Sequence, residues 1–420
     1  MVKKFQLGCI IYLLAWLLCP PLIYGTLFRL LALFCCFAWI FMEYLCNKKI
    51  GRAARNDLEK FANYYLIAAI LYIGGDALIQ LFFSKATLIS IIYNNLQIYI
   101  LLIIGFIGTQ CIAEKRWDDI KIAFIAIVIF CVVFSVTAIF RAPQYQTVTR
   151  EAGGESKYNE EFLIAAARSG VGGFGFFCFT AILVPILVYF SRIFKGSKNL
   201  KTWVIISAIV CEIGVISAGY TLALLISVVG IFSTLFITTK NQTARLVIIL
   251  VLALILIFGQ QLLEIIYSLL LKISAGSMYE NKVKDIFSFL IEGESEGTFD
   301  SRADRYLTSL ESIFKYPLFG SLIWDSTRAI GSHSSILDSF AAYGWIVGGS
   351  WVYLIAVYHD QVMKHFKMKL GVRITLISLV VLTGLFNRLV MMIGALYFLL
   401  PFIAYYAREE EKDESTVDSL

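Results

Sequence analysis

Charged residues are scarce in this sequence: Asp, Glu, Lys and Arg make up 16% of its 420 residues, whereas 59% are hydrophobic. Charged residues normally make up roughly a quarter of a globular chain, so the composition excludes a soluble domain. Apolar stretches of about 18–25 residues recur instead, and each is long enough to cross a bilayer as a helix. The strands of a membrane barrel alternate over about ten residues, which these runs do not. The sequence therefore predicts an all-α, polytopic membrane protein.

Residues that bind metals are also few. The chain has three histidines, and its nine cysteines lie in or against apolar runs without a CxxC pair, so we interpret them as packing residues. His359 and His365 lie in a basic segment, and we predict that they are surface residues. The acidic run Glu292–Glu296 lacks the spacing of a calcium-binding loop. We expect neither a metal nor another cofactor.

The apolar runs predict about twelve transmembrane helices in a single transmembrane domain, residues 1–407. The predicted spans lie near 5–24, 27–46, 61–83, 89–112, 121–140, 171–191, 202–218, 220–238, 246–271, 335–357, 373–387 and 389–407. The N-terminal run lacks a signal-peptidase site and is interpreted as an uncleaved first span. The polar, acidic end, residues 408–420, is predicted to be a disordered cytoplasmic tail.

The positions of lysine and arginine predict the orientation. With a cytoplasmic N-terminus, 22 of the 36 Lys and Arg residues fall in short cytoplasmic segments, and 11 of the others lie in two long outer loops. Long loops count little in the positive-inside rule. We therefore predict a multi-pass membrane protein with both termini in the cytoplasm and with extracytoplasmic loops at about 141–170 and 272–334.

The first outer loop returns to the membrane at Arg168, just before the glycine-rich stretch "SGVGGFGFF". These glycines fit no nucleotide-binding spacing, and close approach of backbones at the membrane surface explains them better. An arginine at this depth is costly unless it faces water or an anion. Arg168 is therefore a candidate for binding an anionic substrate, and snorkelling to lipid headgroups is the alternative.

The second outer loop contains "TFDSRADRYLTSLESIFKYPLFG", which predicts an amphipathic helix that ends before Pro317. The apolar face of this helix is predicted to consist of Tyr306, Leu307, Leu310, Ile313 and Phe314. With Asp300 or Ser301 as N-cap, Arg302 and Arg305 fall in the first turn, where the helix dipole disfavours positive charge. An anion bound by the guanidinium groups and free backbone N–H groups would explain them. A solvated face paired with nearby carboxylates is the alternative.

The third histidine, His333, lies in "GSHSSILDSFAAYGWIVGG", where a polar segment turns into a predicted span. A histidine there meets the outer membrane surface beside the second loop, and it exchanges a proton near neutral pH. It is therefore a candidate catalytic base. A packed or hydrogen-bonded structural histidine is the alternative.

These stretches together resemble a known family. "SRADRY", "YPLFG", "GSHSSILD" and "YGWIVG" look like the core of the bacterial O-antigen polymerase and O-antigen ligase family, over roughly residues 300–350. The plan of about twelve helices with a large outer loop is also similar. The family often has a Ser-Arg pair where this chain reads "SAGYTLALL", with Tyr220 in place of the arginine.

The resemblance implies a metal-independent glycosyltransferase that acts at the outer face of the bacterial plasma membrane and uses an undecaprenyl-diphosphate-linked oligosaccharide as donor. It implies that Arg302 clamps the diphosphate, that Arg305 and Arg168 assist, and that His333 is the base or positions the acceptor. Tyr306 and Asp338 are further candidates for substrate binding. Membrane lipids, a chain-length regulator and a flippase are the expected partners, and no nucleic acid is expected.

The acceptor decides between the activities of this family. Serine after the histidine and Asp338 beyond it look more like polymerases of O-antigen or capsule than like ligases, which tend to show His-Asn. We therefore predict a polysaccharide repeat-unit polymerase, with a ligase or a flippase or transporter as alternatives. A flippase is expected to carry several charges in the middle of its spans, and Asp76 and Glu212 are the main examples here. A transporter is expected to show repeat symmetry, which we do not find.

Overall fold

The structure, a computed structural model, describes residues 2–417 except for several segments. Those segments are residues 24, 48–53, 84–86, 142–159, 195–196, 219, 240, 244, 247–267, 269–271, 273–297, 324–329, 388 and 390–391. The described chain is helical throughout its regular elements. Its α-helices are α1 (Val2–Leu18), α2 (Pro20–Ile23), α3 (Thr26–Asn47), α4 (Asp57–Phe82), α5 (Leu88–Ala113), α6 (Trp117–Arg141), α7 (Glu160–Arg168), α8 (Phe174–Ile193), α9 (Lys198–Ala218), α10 (Thr221–Thr238), α11 (Thr298–Lys315), α12 (Ser335–Val352), α13 (Tyr358–His365), α14 (Leu370–Phe386) and α15 (Met392–Val417).

Seven of the described helices are long and apolar enough to cross a membrane, and shorter apolar helices accompany them. They confirm the prediction of an all-helical, multi-pass membrane protein. The total of twelve stays a prediction, because the predicted span 246–271 lies largely outside the described residues. The buried apolar side chains form one continuous cluster that runs from Cys9 in α1 to Ala407 in α15.

Helix α8 is the centre of the bundle. It contacts α9, α10, α14 and α15, and most of its residues are buried inside the protein. Small residues allow close approach elsewhere: Gly105 and Gly108 of α5 lie directly against Tyr397 of α15. Packing of small residues is what drives helix association where lipid competes for apolar surfaces. The cysteines match this pattern, since the described ones are buried with the exception of the half-buried Cys35.

At the C-terminal end, the last helix extends past the predicted span 389–407 into the segment that is predicted to be a tail. Helix α15 continues through the acidic segment to Val417. Most of the segment "AREEEKDEST" consists of good helix formers, and its opposite charges at Arg408 and Glu411 and at Glu409 and Lys412 are spaced three apart, as helix neighbours are. A helix that is already formed by a membrane span is extended through such a segment at little cost, because nucleation is the expensive step.

Helix α12 is interrupted at Gly344, whose backbone angles are φ 70° and ψ −172°. A π-helical turn, Tyr353–Val357, follows it and leads directly into α13. Backbone that leaves the helical path at membrane depth is tolerated where protein covers it. The break at Gly344 is covered by the turn at residues 316–320, which connects the end of α11 to a short 3₁₀ helix, Ser321–Ile323.

Candidate functional site

Helices α11 and α12 meet at the polar segment 331–335, and a serine and an aspartate join them. The Ser309 hydroxyl of α11 donates to Asp338 Oδ1 of α12 at 2.7 Å, and it accepts the Gly331 backbone N–H at 3.0 Å. The other carboxylate oxygen of Asp338 accepts the Ser334 backbone N–H at 2.8 Å. Ser309 is fully buried. The bracket formed by Ser309, Gly331, Ser334 and Asp338 therefore fixes α11 against the start of α12.

Gly331 is required at this contact because of space. A Cβ atom on Gly331 would lie 2.0 Å from the Arg305 carbonyl oxygen, and the neighbouring carbonyl carbon would be 2.7 Å away. Both obstacles are backbone atoms, which cannot turn aside as a flexible side chain does. The absence of a side chain therefore lets the segment approach α11 at the residue that carries the arginine.

This approach brings Arg305 and His333 into contact. Arg305 Nη1 lies 3.5 Å from His333 Nδ1 and 3.4 Å from Nε2, so the guanidinium contacts the ring as a whole. These distances exceed those of a good N–H···N or N–H···O hydrogen bond. Both residues are half-buried, so their polar groups are reachable from the solution.

The tautomer of His333 follows from its backbone neighbour. His333 Nδ1 lies 3.0 Å from the Ser332 carbonyl oxygen. A carbonyl only accepts, so a hydrogen bond here requires the proton on Nδ1 and leaves Nε2 as the basic nitrogen. Ser332 itself adopts φ 60°, a left-handed conformation that is uncommon outside glycine. This conformation belongs to the tight turn that presents the histidine.

The end of α14 supports the same segment. Ser334 caps α12 by accepting the Leu337 N–H at 3.0 Å, and its hydroxyl lies 3.2 Å from the Gly384 carbonyl oxygen. The Ser335 N–H donates to the Asn387 carbonyl oxygen at 3.0 Å. Sequence reasoning missed this contribution, because nothing local links residues 384–387 with a segment 50 residues earlier.

The structure places most predicted site residues at this junction. Tyr306 donates its hydroxyl to the Phe386 carbonyl oxygen at 3.1 Å and packs edge-on against the Phe386 ring. Asp338, predicted to bind substrate, has both oxygens engaged in the bracket. Arg302 lies one turn before Arg305 on α11, and its side chain lies outside the described part of the chain. Ser309, which the sequence analysis did not select, lies four residues after Arg305 and therefore near it on the helix.

Two predictions about α11 require correction. The helix begins at Thr298, so Arg302 and Arg305 lie four and seven residues after its start and not in its first turn. Neither arginine therefore lies beside the free N–H groups of the first turn, with which it was predicted to bind an anion. The apolar face was also assigned wrongly in part: Ile313 is buried, whereas Leu307 and Phe314 are exposed. The buried face is centred on Ser309 and Ile313, because α11 packs through its polar bracket.

Arg168 is exposed and ends α7, which packs against α2. The next residue, Ser169, accepts a hydrogen bond from Arg141 Nη1 through its carbonyl oxygen at 2.7 Å. Among the described residues, no contact joins Arg168 to Arg305 or His333. Tyr220, which stands where the family often has an arginine, is the N-cap residue that directly precedes α10, and it packs against Phe174 and Phe177 of α8.

The prediction that His359 is a surface residue is wrong. Its side chain is fully buried in α13, with its ring 4.6 Å from that of Tyr397. The preceding π-helical turn carries α12 directly into α13, so the basic segment continues a span instead of forming a loop. His365 is half-buried, and its Nδ1 lies 3.9 Å from Asp57 Oδ2.

Within the described part of the chain, no group of three His, Cys, Asp or Glu side chains is placed to bind a metal ion. Independence from metals stays a prediction. No protein-family model matches this chain, and a search of the curated proteins finds no match. The resemblance to O-antigen polymerases and ligases therefore depends on the short motifs of residues 300–350 and on the predicted plan of helices and outer loops.

Proposed function

We propose that this multi-pass membrane protein is a polysaccharide repeat-unit polymerase, which extends an O-antigen or capsule chain at the outer face of the plasma membrane. The observation that carries the proposal is the contact between Arg305 and His333. It joins a cation suited to a diphosphate with a nitrogen suited to a hydroxyl proton. The donor is a glycan linked to undecaprenyl diphosphate, and the acceptor is a sugar hydroxyl of a second chain.

The reaction forms one bond and breaks one bond. The acceptor oxygen attacks the anomeric carbon, a glycosidic bond forms, and the bond from that carbon to the diphosphate oxygen breaks. The lipid diphosphate leaves with the electron pair, and its growing negative charge is neutralised by Arg305 together with Arg302. His333 Nε2 takes the proton of the acceptor hydroxyl, while Nδ1–H is retained by the Ser332 carbonyl.

The location of the histidine supports this chemistry. His333 directly precedes Ser334, which caps the membrane-spanning helix α12. The leaving group is anchored in the bilayer by its isoprenoid, whereas the sugars are in water. The reacting carbon therefore lies at headgroup depth, which is where a residue at the start of a spanning helix lies.

The test is the ladder of sugar chains in a deletion strain complemented with Arg305→Ala, Arg305→Lys or Arg302→Ala. We expect Arg305→Ala to slow chain growth on the order of 10²-fold, as the loss of one group that stabilises developing charge does elsewhere. Lysine should rescue poorly, since it lacks the planar fork of donors. Lys315→Ala is the matched control, because Lys315 is an exposed cation at the far end of the same helix.

The pattern of products separates the activities. Loss of long chains with single repeats retained supports a polymerase, whereas loss of all repeats on lipid A identifies a ligase. A flippase defect leaves the lipid-linked repeat on the cytoplasmic side. A normal ladder in Arg305→Ala at normal membrane levels would remove Arg305 from the reaction and, with the same result for Arg302→Ala, the proposal itself.

A further inference from the structure

Asp76 is a buried carboxylate within a membrane-spanning helix and has no role in the chemistry proposed above. Its side chain is 3% exposed, and it lies six residues before the end of α4, about 9 Å along the helix. Ionisable groups inside a membrane are costly, and they face the interior of the bundle where they serve a function. A carboxylate at this depth therefore needs hydrogen-bond donors around it.

Three helices contribute donors to Asp76. Oδ1 accepts from Gln80 Nε2 and from the Tyr343 hydroxyl, both at 2.6 Å, and Oδ2 accepts from the Tyr99 hydroxyl at 3.1 Å. Gln80 belongs to the same helix α4, and Tyr99 belongs to α5. Tyr343 belongs to α12 and is the donor that connects Asp76 with the helix that begins at the candidate site.

Tyr343 directly precedes the break in α12. At the next residue, Gly344, the backbone leaves the helical path, and the Trp345 N–H donates to the Pro317 carbonyl oxygen at 2.7 Å instead of to its own helix. The turn that receives this bond follows α11, the helix that carries Arg305. The break in α12 is therefore a docking point for the end of α11.

Two glycines make this docking close. A Cβ on Gly344 would lie 2.4 Å from the Leu318 carbonyl group, and a Cβ on Gly320 would lie 2.1 Å from the Ala342 carbonyl oxygen. Both glycines have positive φ, 70° and 77°, which side chains rarely allow. The Ser321 hydroxyl adds a hydrogen bond to the Ala341 carbonyl oxygen at 2.8 Å. We call this contact between residues 317–321 and 341–345 the glycine interlock.

We propose that Asp76 is a positioning residue for the Arg305–His333 site, because it holds Tyr343 and thereby the glycine interlock. The inference rests on the proposed function for its effect on chain growth, but its structural part stands without it. Helix α11 is fixed to α12 at two places, the Ser309–Asp338 bracket and the interlock. With the interlock released, α11 pivots on the bracket, and Arg305 moves relative to His333.

The structural part is tested by the reactivity of a thiol placed in the interlock. Ser321 is 1% exposed, so Ser321→Cys in purified protein in nanodiscs should react slowly with a water-soluble maleimide. Adding Asp76→Leu, which keeps a similar volume and removes the acceptor, should raise the rate about five- to tenfold, the factor for one lost hydrogen bond. The parent chain without Ser321→Cys gives the background from native cysteines.

The matched controls separate the link to α12 from the other bonds of Asp76. Tyr343→Phe and Tyr99→Phe each remove one hydroxyl that donates to the same carboxylate. We expect Tyr343→Phe to raise the labelling rate and to shorten the sugar chains, whereas Tyr99→Phe should do neither. Asp76→Asn keeps an acceptor oxygen for the Tyr343 hydroxyl, so the labelling should stay slow and the sugar chains should stay long.

The remaining outcomes distinguish the positioning role of Asp76 from its effect on chain growth. Unchanged labelling in both Asp76→Leu and Tyr343→Phe overturns the positioning role, whatever the activity. Loss of chain growth in Asp76→Asn with the interlock still closed also overturns it, because the negative charge and not the position would then matter. Raised labelling with normal chains in Asp76→Leu refutes the link to catalysis. A normal ladder in Arg305→Ala, by contrast, contradicts the proposed function and leaves the interlock result intact.

Discussion

Gly331→Ala is the sharpest test of the candidate site, because the change adds one carbon at a contact between two backbones. That carbon would lie 2.0 Å from the Arg305 carbonyl oxygen, and Cβ atoms essentially never come within 3.0 Å of such an atom. The segment and α11 must therefore separate by at least about 1 Å. The Gly331 N–H bond to Ser309, 3.0 Å long, is strained by the same movement.

The separation moves the two reacting side chains apart without altering either of them. A misplacement of about 1 Å costs about 10²-fold in rate, which corresponds to about 2.7 kcal/mol in activation free energy. We therefore expect chain elongation, followed by a pulse of labelled sugar in a complemented deletion strain, to slow by about that factor. The elongation rate is divided by the membrane level of the protein, because the added carbon and the strained hydrogen bond together cost about 1–3 kcal/mol in folding free energy.

Gly349→Ala is the control for this experiment. A Cβ on Gly349 meets nothing within 4 Å, and this glycine lies within α12. Its elongation rate should stay within about twofold of wild type, because alanine in a helix is no less favourable than glycine. A wild-type rate in Gly331→Ala would show that the close approach of the segment to α11 is irrelevant to the reaction.

Three further predictions concern the histidine, metals and the orientation. His333→Ala should lower the rate about 10²–10⁴-fold, which is the contribution of a positioned base. His333→Gln should be slow as well, because glutamine forms hydrogen bonds but takes no proton. Full activity in His333→Gln would leave His333 only a positioning role. Activity of the purified protein should survive EDTA, and a loss that a divalent ion restores would contradict the metal-independent reaction. Cysteines introduced at Ser156 and Ser295 should react with an impermeant reagent from outside, and labelling from inside only would reverse the predicted orientation.

Much of the site was predictable because its residues are close in sequence. Helix α11 was expected from the spacing of its apolar residues, and the meeting of α11 with the start of α12 followed from the resemblance of the motifs. The same reasoning could have identified Ser309, since it lies one turn after Arg305. The face of α11 that is buried could not be predicted from the sequence, because the exposed Leu307 and Phe314 have the same helical spacing as buried residues.

Other features depended on residues far apart in the chain. The bond from Tyr343 to Asp76 spans 267 positions, and the support of Ser335 by Asn387 spans 52. Neither pair shares a motif or a periodicity. The burial of His359 was likewise hidden, because its segment is basic and reads as a loop until the π-helical turn is seen to continue α12.

By itself, the sequence determined that the chain is a helical, multi-pass membrane protein, because hydropathy over about 20 residues is a local property. It also determined which short stretches carry arginine, histidine and glycine. Only the tertiary structure decided which of these stretches meet. Apolar surface does not select partners among helices in lipid, so the pairing depends on small residues and on hydrogen bonds whose partners lie elsewhere in the chain. The glycine interlock and the bracket at Ser309 are of this kind, and they place Arg305 beside His333.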